Sequence, residues 1–275
     1  MNKYNKNIVV SAFIGFLALG LTGATFARAA TTVGLGTADN FAVLAGTTVT
    51  NTGDTVINGD LGLSPGSSVT GFLPGIVNGV QQIANEIALQ AKEDLIKAYD
   101  RTTGLTPTST IGTELGGKIL TPGIYDSASG TFEITGTLTL DAQNDPNAVF
   151  IFKTASTLVT AVSSNVVLIN GAQSCNVLWQ VGSSATLQTY STFKGNILAL
   201  TSATVTTGVN VEGRVLARNG AVTLDTDTIT KTTCAVPSLP NTGEGDSAPW
   251  NTIIMTGIGI VALAALIIAL KKRAI

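Results

Sequence analysis

The sequence predicts a mainly β chain, a β-solenoid of triangular coils with one long α-helix packed along a face. Three observations predict it. A stretch of eighteen residues recurs immediately after itself. Apolar residues alternate with Thr, Ser and Asn through most of the chain. One segment alone switches to apolar spacings of three and four.

The repeat is the most informative. Residues 184–201 (SATLQTYSTFKGNILALT) are followed directly by residues 202–219 (SATVTTGVNVEGRVLARN), and a third, shorter copy begins at Gly220. Ala185 falls on Ala203, Leu187 on Val205, Phe193 on Val211, Gly195 on Gly213 and Ile197 on Val215. Short β-rich repeats at a fixed period mark a solenoid, in which each coil buries its apolar side on the next. Eighteen residues make one coil of three short strands. In the first strand Leu187 and Val205 point inward, so Thr186, Gln188, Thr204 and Thr206 point out by period-two alternation. In the second, Phe193 and Val211 point inward, and Lys194 and Glu212 stack outside as opposite charges. In the third, Ile197, Ala199, Val215 and Ala217 face in while Leu198, Leu200 and Leu216 face out. A strand apolar on both sides needs a cover.

Residues 80–100 supply the cover. Ala84, Ala88, Ala91, Leu95 and Ala98 make an apolar stripe at helical spacing, broadened by Ile87 and Tyr99. Glu86, Gln90, Glu93, Lys97 and Arg101 fill the other side, with Glu93 and Lys97 at i,i+4, and Gly104 ends the helix. The remaining segments, among them residues 41–63 and 131–140, read as irregular coils.

Composition narrows the function. The chain has 275 residues, 12% of them charged, and no histidine. That excludes a Ser-His-Asp triad and a His-rich metal site. Residues 31–242 carry nine Lys/Arg and fifteen Asp/Glu, a net of −6, which offers nucleic acid no basic surface. No cofactor is implied and no enzyme is expected. Asp54 with Asp60, or Asp225 with Asp227, are candidate acid–base pairs only in form, because no Arg or Lys accompanies them to hold an acidic sugar. Asp141, Asn144, Asp145 and Asn147 read as an Asx-rich turn rather than a Ca²⁺ loop.

Both ends read as addresses. Lys3 and Lys6, the apolar run 8–21 and Ala27-Arg28-Ala29 form a signal-peptide pattern over residues 1–30; a retained membrane anchor is the alternative. The solenoid domain is expected over 31–236. A linker, 237–252, then carries Leu239-Pro240-Asn241-Thr242-Gly243. An uncharged anchor span, 253–270, and the basic tail, 271–275, complete the chain. Eighteen helical residues reach roughly 27 Å, enough to cross a hydrocarbon core. The pentapeptide with span and tail resembles the LPXTG sorting signal of Gram-positive sortase substrates. That resemblance implies cleavage between Thr242 and Gly243 by the sortase cysteine, covalent attachment to peptidoglycan through Thr242, and display on the cell wall after transient membrane tethering.

Within the solenoid, residues 40–44 (NFAVL), 59–62 (GDLG), 121–125 (TPGIY), 145–152 (DPNAVFIF), 179–182 (WQVG), 193–198 (FKGNIL) and 213–217 (GRVLA) resemble the ice-binding-protein-like family of antifreeze β-solenoids. The resemblance spans residues 33–234. It implies a right-handed, irregular β-helix with one helix alongside, and binding to ice or ordered water through a flat face. It also brings a Thr-(Ala/Gly)-X-(Thr/Asn) pattern, matched at residues 52–55, 154–157 and 207–210, whereas Tyr190 interrupts the coil at 189–192.

The candidate face is Thr186, Gln188, Thr204, Thr206 and Thr223, joined by Thr157, Thr137 and Thr139. β-propensity alone also favours Thr at exposed strand positions. Cys175 and Cys234 would meet an oxidising exterior, either as a disulfide tying the domain's end to an earlier coil or as buried thiols. A second expectation for the same solenoid is a cell-surface adhesin or structural protein that binds a glycan or host ligand.

Overall fold

The computed structural model describes residues 32–235. The segments expected to be a leader (1–30), a linker with the Leu239 to Gly243 motif (237–252), an anchor span (253–270) and a basic tail (271–275) lie outside the described residues. Among the described residues no helix is long and apolar enough to cross a membrane.

The described chain is mainly β with one α-helix, and its named strands pair in parallel in three lanes. The first lane runs, in spatial order, Phe132–Ile134, Leu158–Thr160, Ala185–Leu187, Ala203–Val205, Val222–Asp225, Thr48–Thr52 and Ser68–Thr70. The second runs Ile119–Leu120, Thr137–Asp141, Asn165–Ile169, the first halves of Thr192–Ala199 and Asn210–Ala217, then Thr228–Thr230, Val56–Asn58 and Ile76–Val77. The third runs Ser109–Ile111, Gly123–Ser127, Phe150–Thr154, Val177–Val181, the second halves of the two long strands, Phe41–Ala45, Asp60–Leu63 and Gln81–Ile83.

The two long strands serve two lanes because each bends at a glycine. Gly195 and Gly213 are register partners with φ of 114° and 148°. A Cβ on Gly213 would lie 2.0 Å from the Gly195 carbonyl oxygen, so the close backbone approach requires glycine.

The eighteen-residue repeat is the register itself: Thr192 to Ala199 pair one for one with Asn210 to Ala217, and Ala185, Thr186 and Leu187 with Ala203, Thr204 and Val205. The coils do not stack in chain order, however. Residues 228–230 pair with 56–58, and residues 222–225 with 49–52. The last coil therefore lies on one of the first, and the Phe41–Ala45 strand closes it by pairing with both 215–216 and 60–63. The chain builds residues 41–83 at one end, crosses the stack through the helix, and winds back toward its own beginning.

The interior holds the alternating apolar residues of all three lanes, including Leu187, Val205, Phe193, Val211, Ile197 and Val215, each at most 1% exposed. An aromatic stack runs along it: Phe152 lies on Trp179 with centroids 4.0 Å apart, Tyr125 on Phe152 at 5.4 Å, and Trp179 meets Phe193 at 5.2 Å. By their mutual contacts the residues up to Ala235 cluster as one compact unit.

Helix α1 spans Glu86–Thr103, a later start than the spacing predicts. Residues 81–83 instead pair with 61–63 as strand, Ala84 turns through φ 48°, and the Asn85 side chain accepts from the Ala88 amide as N-cap. The helix lies on the outer side of the third lane, where Ala91, Leu95, Ala98 and Tyr99 bury Leu198, Leu216, Phe41 and Leu44. Burial of each large apolar side chain contributes about 1.5–3 kcal/mol. Ile87 is turned to solvent, while Lys92 is buried in the seam and donates to the carbonyls of Ala217 and Arg218. Lys97 pairs with Asp94 at 3.0 Å, not with Glu93. The i,i+3 partner is better placed because Asp94 is also held by the Thr37 amide and hydroxyl.

Candidate functional site

Among the described residues no helix packs on the first lane. In six of its seven strands the outward side chain stands between two inward ones, as Thr186 between Ala185 and Leu187 and Thr204 between Ala203 and Val205, whereas in Ser68–Thr70 the central Val69 turns to the core and Ser68 and Thr70 point out. The register aligns these outward residues across the lane in the order Glu133, Val159, Thr186, Thr204, Thr223, Thr50 and Thr70. Five consecutive strands thus present threonine, with neighbouring strands about 4.8 Å apart. Thr50 and Thr223 come from sequence positions 173 residues apart, and their hydroxyls lie 3.4 Å from each other.

Two flanking rows complete the surface. On one side Thr48 pairs with Ser68, and the Thr157 hydroxyl lies 3.2 Å from that of Thr131. On the other, Gln188 and Thr206 follow two residues after Thr186 and Thr204, and Thr52 is the partner of Asp225. The Thr206 hydroxyl is engaged locally, donating to the Leu187 carbonyl. Asp225 accepts from the Thr207 and Thr226 hydroxyls, so its carboxylate is hydrogen-bonded within the turn. In the central row Glu133 is the one charged side chain, and it sits at the far end.

Thr137 and Thr139 do not join this surface. They lie in the second lane, where Thr137 pairs with Asn165 and Thr139 with Ile119 and Val167. Period-two alternation makes them outward, but it does not say outward from which lane. The Thr-(Ala/Gly)-X-(Thr/Asn) matches also scatter. Thr52 is exposed in the first lane while Thr55 is fully buried. Thr154 is buried against the Gly130 carbonyl, and Asn210 begins a second-lane strand. Tyr190 is 65% exposed at φ 59°, its ring lying over Gly208 of the adjacent coil, where a Cβ would come within 2.6 Å of it.

The residues missed from sequence are Thr50 and Thr70. A signal existed: residues 56–59 (VING) recur as 76–79 (IVNG), and Val49-Thr50 recurs as Val69-Thr70, at an offset of twenty. All three lanes keep that offset in the register.

Cys175 and Cys234 form a disulfide with Cα atoms 5.4 Å apart. Residues 231–235 run as a strap from the second lane toward Cys175. The Thr232 hydroxyl lies 3.2 Å from that of Ser174, and the Ala235 amide donates to Gln173. Because Cys175 sits between second-lane and third-lane strands, the strap leaves the first lane uncovered.

Of the four carboxylates in the candidate acid–base pairs, Asp60, Asp225 and Asp227 have structural partners. Asp60 accepts from the Val80 amide, and buried Asp227 accepts from the Val209 and Asp225 amides. Burial pushes the Asp227 carboxyl up to about 7. Asp141 and Asp145 cap turns by accepting from the Gln143 and Asn147 amides. Among the described residues no three His, Cys, Asp or Glu side chains gather as a metal site.

Comparison with known proteins matches residues 43–230 to the ice-binding-like family. The chain is 46% identical to the ice-binding protein of Nostoc sp. (strain HG1), covering 98% of this chain and 96% of that one. It is 32% identical to the ice-binding protein of Flammulina populicola, covering 83% and 98%. The crystal structure of the ice-binding protein from the Antarctic ascomycete Antarctomyces psychrotrophicus superposes with a TM-score of 0.72 at 40% identity, over 74% of this chain and all of that one. That of an ice-binding protein from an Antarctic biological consortium gives 0.72 at 48% identity, over 74% and 92%. A family match over most of the chain, with the same parallel-stranded fold beneath it, establishes that this chain belongs to the ice-binding-like family.

Proposed function

We propose that the protein binds ice, or water ordered like ice, through the outward side of its first lane. The observation that carries this reading is the unbroken row Thr186, Thr204, Thr223, Thr50 and Thr70. Each position offers one hydroxyl and one methyl group, and the strand spacing repeats them at a fixed interval. A crystalline ligand is itself periodic, so a repeated array gains a contact at every strand where an irregular surface gains one or two. Thr157, Gln188 and Thr206 flank the row and complete its width. The absence of charge along the five threonines favours the reading, because a charged group would hold its own hydration shell against the lattice. The likeness to proteins named ice-binding, at 46% and 32% identity, supports it further. The function is binding, with no chemical turnover.

We take the solenoid to be right-handed and its coils triangular. Support comes from the handedness of parallel crossover connections in general and from three lanes served by an eighteen-residue step. The same reading makes the protein secreted and displayed on a Gram-positive wall. Residues 1–30 act as the leader, and a sortase opens the Thr242–Gly243 bond and transfers Thr242 to peptidoglycan. The strap at residues 231–235, turned away from the first lane, suits a tether that leaves the row facing outward.

Ice-recrystallisation inhibition by residues 31–242 tests the binding. Activity is expected, and Thr204→Tyr with Thr223→Tyr is expected to reduce it at least tenfold while leaving the unfolding midpoint in place. A fully active double variant would overturn the choice of lane. An inactive parent that binds a glycan array would overturn ice as the ligand in favour of an adhesin.

A further inference from the structure

The end of the stack built from residues 66–83 is unlike the rest of the surface. Its strands, Ser68–Thr70, Ile76–Val77 and Gln81–Ile83, are the last of their lanes, so each leaves one backbone edge without a ladder partner among the described residues. Edges of this kind are ordinarily blunted with charge, yet no charged residue occurs from Leu61 to Asn85. Leu73 is 95% exposed, and Ile76 and Val80 are more than half exposed around the same rim. Val69, Phe72, Val77 and Ile83 are only partly covered, so the solenoid core opens here. A terminal coil of a solenoid needs a polar outer face to stay solitary.

We propose that this end docks onto the same end of a second copy, related by a two-fold axis perpendicular to the stack. Four observations select that occupant. The open surface is the kind that each coil already offers its neighbour, backbone edge plus apolar interior, so another terminal coil continues an interface used throughout the molecule. A coil with no charged side chain of its own, the neighbouring Asp60 carboxylate being tied to the Val80 amide, complements itself better than it complements a charged partner. The opposite end carries Glu114, Lys118 and Glu133 around the exposed Ile119, which disfavours head-to-tail stacking into fibres. Finally, the described chain ends elsewhere. Gly34 is held by Arg101 near the far end of α1, and Ala235 by Gln173, so neither described end lies at the docking coil.

The arrangement that sets the Ser68–Thr70 edge against its own counterpart keeps the two first lanes side by side. Thr70 is the last member of the threonine row, so the partner copy supplies the continuation of the hydroxylated surface. In this respect the inference rests on the proposed ice-binding reading. One coil end is smaller than the roughly 800 Å² per partner of a standard interface, so the dissociation constant is expected on the order of 0.1 mM.

Sedimentation velocity of residues 31–242 from about 10 µM to about 1 mM is the test over that range. The expected result is a concentration-dependent shift from monomer to dimer. It should be abolished in the triple variant Leu73→Lys, Ile76→Lys, Val80→Lys and retained in Ile119→Lys at the opposite end. A parent that stays monomeric throughout, a dimer that survives the triple substitution, or growth beyond dimer overturns the proposal. Recrystallisation assays separate the two readings. A monomeric parent that inhibits recrystallisation sinks only the dimer, and a dimer without such activity sinks only the ice-binding assignment.

Discussion

The first and third lanes are made by the same coils, yet they meet opposite fates. In the coils at 185–199 and 203–217 the inward residues are interchangeable: Leu187 and Val205 on one lane, Ile197 and Val215 on the other, all buried in one core. What differs is the outward residue. The first lane presents Thr186 and Thr204, while the third presents Leu198 and Leu216. Those outward leucines, with Phe41 and Leu44 of the adjoining strand, seat an eighteen-residue helix. Two outward threonines leave the lane open, because each hydroxyl gains nothing by leaving water. A solenoid therefore divides its surface between structure and function through one position per strand.

The most severe break in this division is expected at the helix seat. Leu216→Ala should lower the unfolding free energy by about 2–5 kcal/mol, read by urea titration, and should expose the amides of α1 to hydrogen exchange. Equal stability in that variant would mean the helix is held by its ends and not by its apolar face. Next comes the strap. Reducing Cys175–Cys234, which closes a separation of 59 residues, should cost about 2–4 kcal/mol. Ice activity per folded molecule should be unchanged, since the bond lies away from the first lane.

A third effect tests the seam under the helix by pH. Burial, followed by the Arg218 charge, lowers Lys92 to about 7, whereas an unfolded lysine titrates near 10.4. Between those values the unfolded chain binds the extra proton, so stability should rise as pH increases from about 7 to about 10. Lys92→Met should remove that rise in the thermal midpoint; a slope that persists would assign it to other groups. The smallest change is expected on the open lane, where Thr204→Ala should shift stability by no more than about 0.5 kcal/mol. A loss several times larger would show that the row is part of the scaffold.

Legibility followed sequence distance. The row at Thr186, Thr204 and Thr223 could be found because its members stand in consecutive repeats, and the leucine stripe and its helical cover because both are local periodicities. Thr137 and Thr139 lie in the second lane and not beside the row, because alternation distinguishes inside from outside but not one lane from another. The helix began six residues late because Gln81 to Ile83, whose spacing suits a helix, form the terminal strand of the third lane.

By itself, then, the sequence determined the kind of chain this is: the coil length of its C-terminal repeat, the buried positions there, the helix that covers one lane and the threonines of its C-terminal coils. These rest on contacts between residues near one another in sequence, where a period of two, four or eighteen is visible. Only the tertiary structure decided that Thr50 and Thr70 extend the row. Their places depend on residues 49–52 pairing with 222–225 after the helix has carried the chain back along the stack. The physical reason is that parallel strands register through backbone hydrogen bonds and shared core packing, which are indifferent to chain order. Any two coils of matching shape can be neighbours, and packing chose these.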